Sequence, residues 1–260
     1  MANIKKVFSI ADTAIKKIST AVIGDVKAIF TTLVDTDDAA GPTSTSIDGC
    51  ELDGSVWIEY NDTVPGGGNF DSWAKVIDAG VEAIEADSST ASPTHYIKTV
   101  VSGRGNTYGN ARFYFRFNGA SFDAGISSVS AGTLKLYFGT VDNSPDADVN
   151  KWKAFKHNNI SVGSLVTGSY EKDEGTDGWD PDISGDETTI STAAFASFPI
   201  TGDLLAYLST QAQAQADVAF MLVNKLDYGN TAPTGDNSVT LQFTEGTNDS
   251  KDPVLEYTYT

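Results

Sequence analysis

Ala111-Arg112-Phe113-Tyr114-Phe115-Arg116-Phe117 is the most regular segment of this 260-residue chain. Phe113, Phe115 and Phe117 alternate with Tyr114 and Arg116, which is the period of two expected of a strand with one face buried. Segments of the same kind lie on both sides of it. Val56, Ile58 and Tyr60 alternate with Trp57 and Glu59 and stop at Val64-Pro65-Gly66-Gly67-Gly68. A short acidic strand is expected around Val81–Glu85 and another from Tyr96 to Val101. Downstream, Leu134, Leu136 and Phe138 alternate with Lys135 and Tyr137, and Trp152–Phe155, Val218–Val223, Val239–Phe243 and Leu255–Tyr259 follow. Strands separated by Gly, Asn and Asp turns, with hardly a helix between them, predict an all-β antiparallel sandwich. One short helix is expected at Asp203–Gln211, capped by Asp203, with Leu204, Leu205 and Leu208 on one face.

Composition agrees with that class. Hydrophobic residues make up 40% of the chain and aromatics 10%, enough for a core, and 24 glycines supply turns. The single cysteine, Cys50, rules out an intrachain disulfide and a multi-cysteine zinc site. A formal charge of −18 argues against a nucleic-acid-binding body, because a polyanion would be repelled. That charge is unevenly spread: residues 1–30 carry Lys5, Lys6, Lys16, Lys17 and Lys27 against Asp12 and Asp25, a balance of +3, which leaves −21 for the rest. A basic arm joined to an acidic body implies that the two face different surroundings.

The arm repeats. Ile4-Lys5-Lys6-Val7, Ile15-Lys16-Lys17-Ile18 and Val26-Lys27-Ala28-Ile29 start 11 residues apart. Units this short cannot bury their apolar side alone, so they must stack on copies of themselves, on other chains or on a host surface. Eleven residues also make three helical turns, so an amphipathic helix packed on its own domain is the alternative. The β-branched residues weigh against an exposed helix. Asp35–Gly49 reads as a linker, with Gly41-Pro42 as its hinge. Asp12, Lys16 and Lys17 interrupt every apolar stretch near the start, so neither a secretory signal nor a membrane span is expected, and release by lysis would suit such a chain.

Two resemblances add to this reading. Ile4 to Leu33 resembles the tandem IKK(I/V) segments that open many structural proteins of tailed bacteriophages, although Ala28 stands where the third unit would have its second lysine. This implies an arm fixing the protein to the virion or to its neighbours through Ile4, Lys5, Lys6, Val7, Ile15, Lys16, Lys17, Ile18, Val26, Lys27 and Ile29. Over residues 76–260, Ala111–Phe117, Gly132-Thr133-Leu134-Lys135-Leu136-Tyr137 and Asp252-Pro253-Val254-Leu255-Glu256-Tyr257 resemble the strands of DNRLRE jelly-roll modules. That implies a carbohydrate-binding-like jelly-roll β-sandwich without catalysis. The expected organisation is an arm at 1–34, a linker at 35–49, an additional strand region at 50–75 and the jelly roll at 76–260.

Chemistry is thinly represented. Only His95 and His157 are available as bases, neither in a nucleophile signature, and Cys50 has no partner in sequence. Paired carboxylates of a glycoside hydrolase cannot be told from chance among 35 acids, which leaves a polysaccharide depolymerase as a minor alternative. Asp180, Asp182, Ser184 and Gly185 match the opening of an EF-hand loop, but its twelfth position is Ser191, not the bidentate glutamate. A looser structural calcium site on Asp180, Asp182, Ser184 and Asp186 is therefore the metal candidate. Trp57, Trp73 and Trp179 are the candidates for stacking on a sugar, with core burial as the commoner fate of tryptophan. The whole reads as a virion structural protein, a fibre, whisker or decoration protein, that forms a homotrimer and needs no enzymatic activity. A module binding a bacterial surface glycan or host receptor is the rival.

Overall fold

A computed structural model describes residues 42–61, 73, 77, 85–87, 94–102, 105–158, 179–243 and 249–260. The chain divides after Gly41 into two units, and everything below concerns the second, residues 42–260. It is an all-β sandwich. Thirteen strands are described, each pairing antiparallel: β1 (Thr43–Asp48), β2 (Leu52–Asn61), β3 (Glu85–Asp87), β4 (Thr94–Ser102), β5 (Gly105–Phe117), β6 (Val129–Asp142), β7 (Lys151–His157), β8 (Trp179–Ser184), β9 (Thr188–Thr189), β10 (Ala194–Ile200), β11 (Val218–Asn224), β12 (Asp236–Leu241) and β13 (Val254–Tyr259). Two helices can be bounded among the described residues, α1 (Gly202–Ala214) and α2 (Lys225–Tyr228).

Two long strands organise the layers by changing partners part-way. β6 has β10 on one side; on the other it pairs with β13 over Val129–Lys135 and with β12 over Phe138–Asp142. β1 adds to the outer side of β13, giving a layer ordered β10–β6–β13–β1. In the second layer β5 has β2 on one side, and β4 then β11 on the other, with β7 and β8 beyond β11. β12 pairs with both β6 and β4 and so joins the two layers along one flank.

The core follows from the alternation. Phe113, Phe115 and Phe117 of β5, Leu134, Leu136 and Phe138 of β6 and Phe198 of β10 are completely buried. Phe243 meets Phe113 and Phe115 edge-on, with ring centroids 6.2 and 6.0 Å apart, the offset that aromatic quadrupoles favour. Helix α1 adds Leu204, Leu208 and Ala212, all without exposed surface. It begins after Thr201 at the N-cap, with Asp203 in its first turn rather than at the cap. The Gln211–Ala214 run, made of good helix formers, extends it beyond the expected end at Gln211, until Gln215 turns left-handed.

Two expectations change. The stretch 35–49 holds strand β1, so a linker does not extend past Gly41-Pro42; Thr43–Asp48 runs antiparallel to the final strand with Ile47 buried opposite Leu255. And β5 is buried on both faces: Asn110, Arg112 and Arg116 as well as the phenylalanines have almost no exposed surface.

Candidate functional site

The polar face of β5 is where charge is buried. Arg112 donates from Nε to Asp227 Oδ2 at 2.6 Å and from Nη2 to Asp227 Oδ1 at 2.7 Å, and Nη2 also reaches Ile77 O at 2.9 Å. Asn110 Nδ2 donates to Asp227 Oδ2 at 2.7 Å. Asp227 sits on α2, whose start is set by Asn224: its side chain accepts from Leu226 N and donates to Val149 O. These bonds tie α2 across β5. Arg112 Nε and Nη2 and Asn110 Nδ2 are all directed at protein acceptors, the arrangement of a structural lock.

At the loops on that side, Asp148 Oδ1 accepts from Lys151 Nζ at 2.7 Å, Lys225 Nζ lies 3.5 Å from it, and Tyr228 donates to Glu187. The hydrogen bond from Lys151 holds the Asp148 carboxyl below its ordinary range, and burial beside Glu187 pushes the Tyr228 phenol far above its own. Asp146 accepts from Thr234 and Asn237. The acidic run from Asp142 to Asp148 is thus occupied in pinning loops.

The opposite layer carries an open surface. Along β6, β13 and β1 the residues pointing away from the core fall in register: Thr133 opposite Glu256 opposite Ser46, and Ala131 opposite Thr258 opposite Ser44. They line a groove of about 440 Å³. Ser44 Oγ and Thr258 Oγ1 lie 3.0 Å apart, and Lys135 Nζ donates to Glu256 Oε1 at 2.6 Å. Beneath the face, the inward residues Leu134, Leu255 and Tyr257 are buried, so the strands cannot slip without exposing them. Further along, Phe195 of β10 lies opposite Tyr137 of β6, with ring centroids 5.3 Å apart, and Lys251 Nζ sits 4.4 Å above the Tyr137 ring. Phe195 is 46% exposed and is the one large hydrophobic side chain so exposed among the described residues.

The residues singled out from sequence are distributed differently. The lysine-bearing repeats at 4–29 lie outside the described residues. Trp73 is 3% exposed and donates from Nε1 to Leu226 O at 3.1 Å, so it is a core residue and not a stacking platform. Trp57 belongs to β2, paired with Ala111, and Trp179 to β8, paired with His157. Asp180, Asp182 and Ser184 lie on β8 rather than in a loop, and Asp186 follows in the connection to β9. Asp180 Oδ1 accepts from Asp182 N at 3.0 Å, and Lys156 Nζ stands 3.9 Å from its other oxygen. Among the described residues no three His, Cys, Asp or Glu side chains converge as a metal site. Gly185 has a packing role: a Cβ there would lie 2.3 Å from Pro199 O. His157 is buried edge-on against Tyr114.

The groove residues Ser44, Ser46, Thr133, Glu256 and Thr258, and Phe195 beyond them, are absent from the sequence-based candidates. Their signal is the complement of the hydrophobic alternation: once Leu255 and Tyr257 are placed inward, Glu256 and Thr258 must face out. No protein-family model matches the chain, and no curated protein is similar to it.

Proposed function

We propose that the protein is a structural component of a tailed-bacteriophage virion, a fibre, whisker or decoration protein that displays its acidic β-sandwich and is held to the particle by its basic N-terminal arm. The observation that carries this reading is the set of three lysine-bearing units spaced 11 residues apart, ahead of a body of opposite charge. Such units need a partner to cover their apolar side, and a homotrimer supplies two. The architecture is compatible with display. The chain enters the sandwich through β1, at one end of the strand order, and residues 42–260 form a compact unit of their own. A jelly roll of the DNRLRE kind, the expectation drawn from the strand sequence, would suit such a module, presenting a surface without cleaving.

The test is deletion of residues 1–34. The truncated protein should keep the far-UV circular dichroism and thermal transition of the sandwich, become monomeric in sedimentation, and be lost from assembled particles. Normal occupancy of the truncated protein in particles would refute the anchor.

A further inference from the structure

We propose that the outward face of β10, β6, β13 and β1 binds a neutral, linear oligosaccharide, with Phe195 stacking under a sugar ring at one end and the hydroxyl-lined groove at the other. The argument rests on shape, charge and lining.

The face is long and strand-aligned. From Ala131 to Tyr137 along β6 the outward positions span about 20 Å at the rise of an antiparallel strand, so it suits an extended chain and not a single small molecule. The groove at the Ala131 end is lined by Ser44, Ser46, Thr133 and Thr258, whose hydroxyls both donate and accept. A sugar ring presents hydroxyls of the same dual character on its rim and C–H groups on its faces. The Phe195 ring meets the second need: it is open to solvent and fixed from the side by Tyr137.

Charge selects among glycans. The chain as a whole carries −18, yet this face presents both signs: Lys135, paired with Glu256, Lys251 over the Tyr137 ring, and Asp48 at the end of β1 opposite Val254. Glu256 is already neutralised by Lys135 at 2.6 Å. A sialylated or uronic-acid chain would meet no net positive charge among these groups and would be repelled by the acidic body, and a basic peptide would meet no net negative charge among them. A neutral chain is opposed by neither.

This inference does not depend on the virion reading, since it concerns the sandwich alone. The experiment is titration of the full chain, by isothermal calorimetry, with neutral gluco-, galacto- and manno-oligosaccharides and with sialylated and uronic-acid oligosaccharides as the charged arm. At least one neutral oligosaccharide should bind. Phe195→Ala should weaken it roughly tenfold, the size expected for loss of one aromatic stacking contact. Ser46→Tyr, which fills the groove from an exposed edge position, should abolish it with the thermal transition retained, while Asn230→Ala, in a loop outside this face, should leave it unchanged. Silence across the neutral panel, binding confined to the charged arm, or binding indifferent to Phe195→Ala and Ser46→Tyr would each overturn the proposal. So would self-association that these two substitutions remove, because the face would then be a contact between copies of this chain.

Discussion

Arg112 and Asp227 are joined by two hydrogen bonds of 2.6 and 2.7 Å, and neither side chain touches solvent. The two residues lie 115 positions apart in sequence. Their union fixes α2 against β5, and Asn110 and the Ile77 carbonyl complete the arrangement.

Breaking that pair should cost more than any surface change. Arg112→Met leaves a buried carboxylate without its main partner, and Asp227→Leu a buried guanidinium. Each is expected to lose about 3–5 kcal/mol in urea denaturation, whereas the double variant should recover a substantial part, since it strands neither charge. A single variant as stable as the parent would contradict the lock.

Asp146 should make the fold acid-sensitive. Burial raises its carboxyl, but the hydrogen bonds from Thr234 and Asn237 outweigh this and hold it below its ordinary value. The folded pKa is therefore lower than the unfolded one, so the stabilisation is complete above the unfolded value, about 3.9, and is lost as pH falls through the lowered folded value. Asp146→Asn should cost about 1 kcal/mol at neutral pH, from weakened hydrogen bonds, and less in strong acid. Thermal transitions recorded between neutral pH and pH 2 would show the two curves converging as pH falls (~2 marking the lower end of the window).

Gly185→Ala distinguishes packing from ion binding. The added methyl would lie against the Pro199 carbonyl, and Gly185 N is itself bonded to Ala154 O at 2.8 Å, so the backbone has little room to move. A loss of about 1–3 kcal/mol is expected, equal in calcium and in chelator. A loss that appears only in calcium would restore the ion-binding role for this segment.

Trp73→Ala should behave as a core deletion. Removing the buried indole and its bond to Leu226 O is expected to cost about 3–5 kcal/mol. Oligosaccharide titration at a temperature where the variant remains folded should match the parent. A binding defect without a stability defect would reverse the assignment.

Most strands readable in sequence were those with one apolar face; β11 was read instead from its unbroken apolar run and is buried at every position. β6 and β13 show alternation because Leu134, Leu136, Leu255 and Tyr257 point inward and their neighbours outward. β10 was hidden because Phe195 outside and Phe198 inside blur the period. β1, Thr43–Asp48, has Ile47 as its sole apolar residue and looks like a loop until its hydrogen bonds to β13 are seen. β8 contains Pro181 and two aspartates, residues depleted in strands and tolerated at the end of a sheet order. The groove was illegible for a further reason: it gathers β1, β6 and β13, and no local pattern shows that residues 44 and 258 are neighbours. Trp73 stayed a stacking candidate beside the commoner core reading, because the partner that decides between them, the Leu226 carbonyl, is 153 positions away.

β13 lies between β1 and β6, with Ser44 paired to Thr258 across 214 positions and the Thr260 backbone bonded to Ser128. During synthesis β1 and β6 must therefore wait, with unpaired edges, for a strand that leaves the ribosome more than a hundred residues after β6. The sandwich closes only after nearly all of it has been made, and sheets completed by such distant pairings form slowly and expose sticky edges in the interval. Yield in cells should accordingly respond to translation rate and to chaperone supply more steeply than the equilibrium stability of the finished protein would imply.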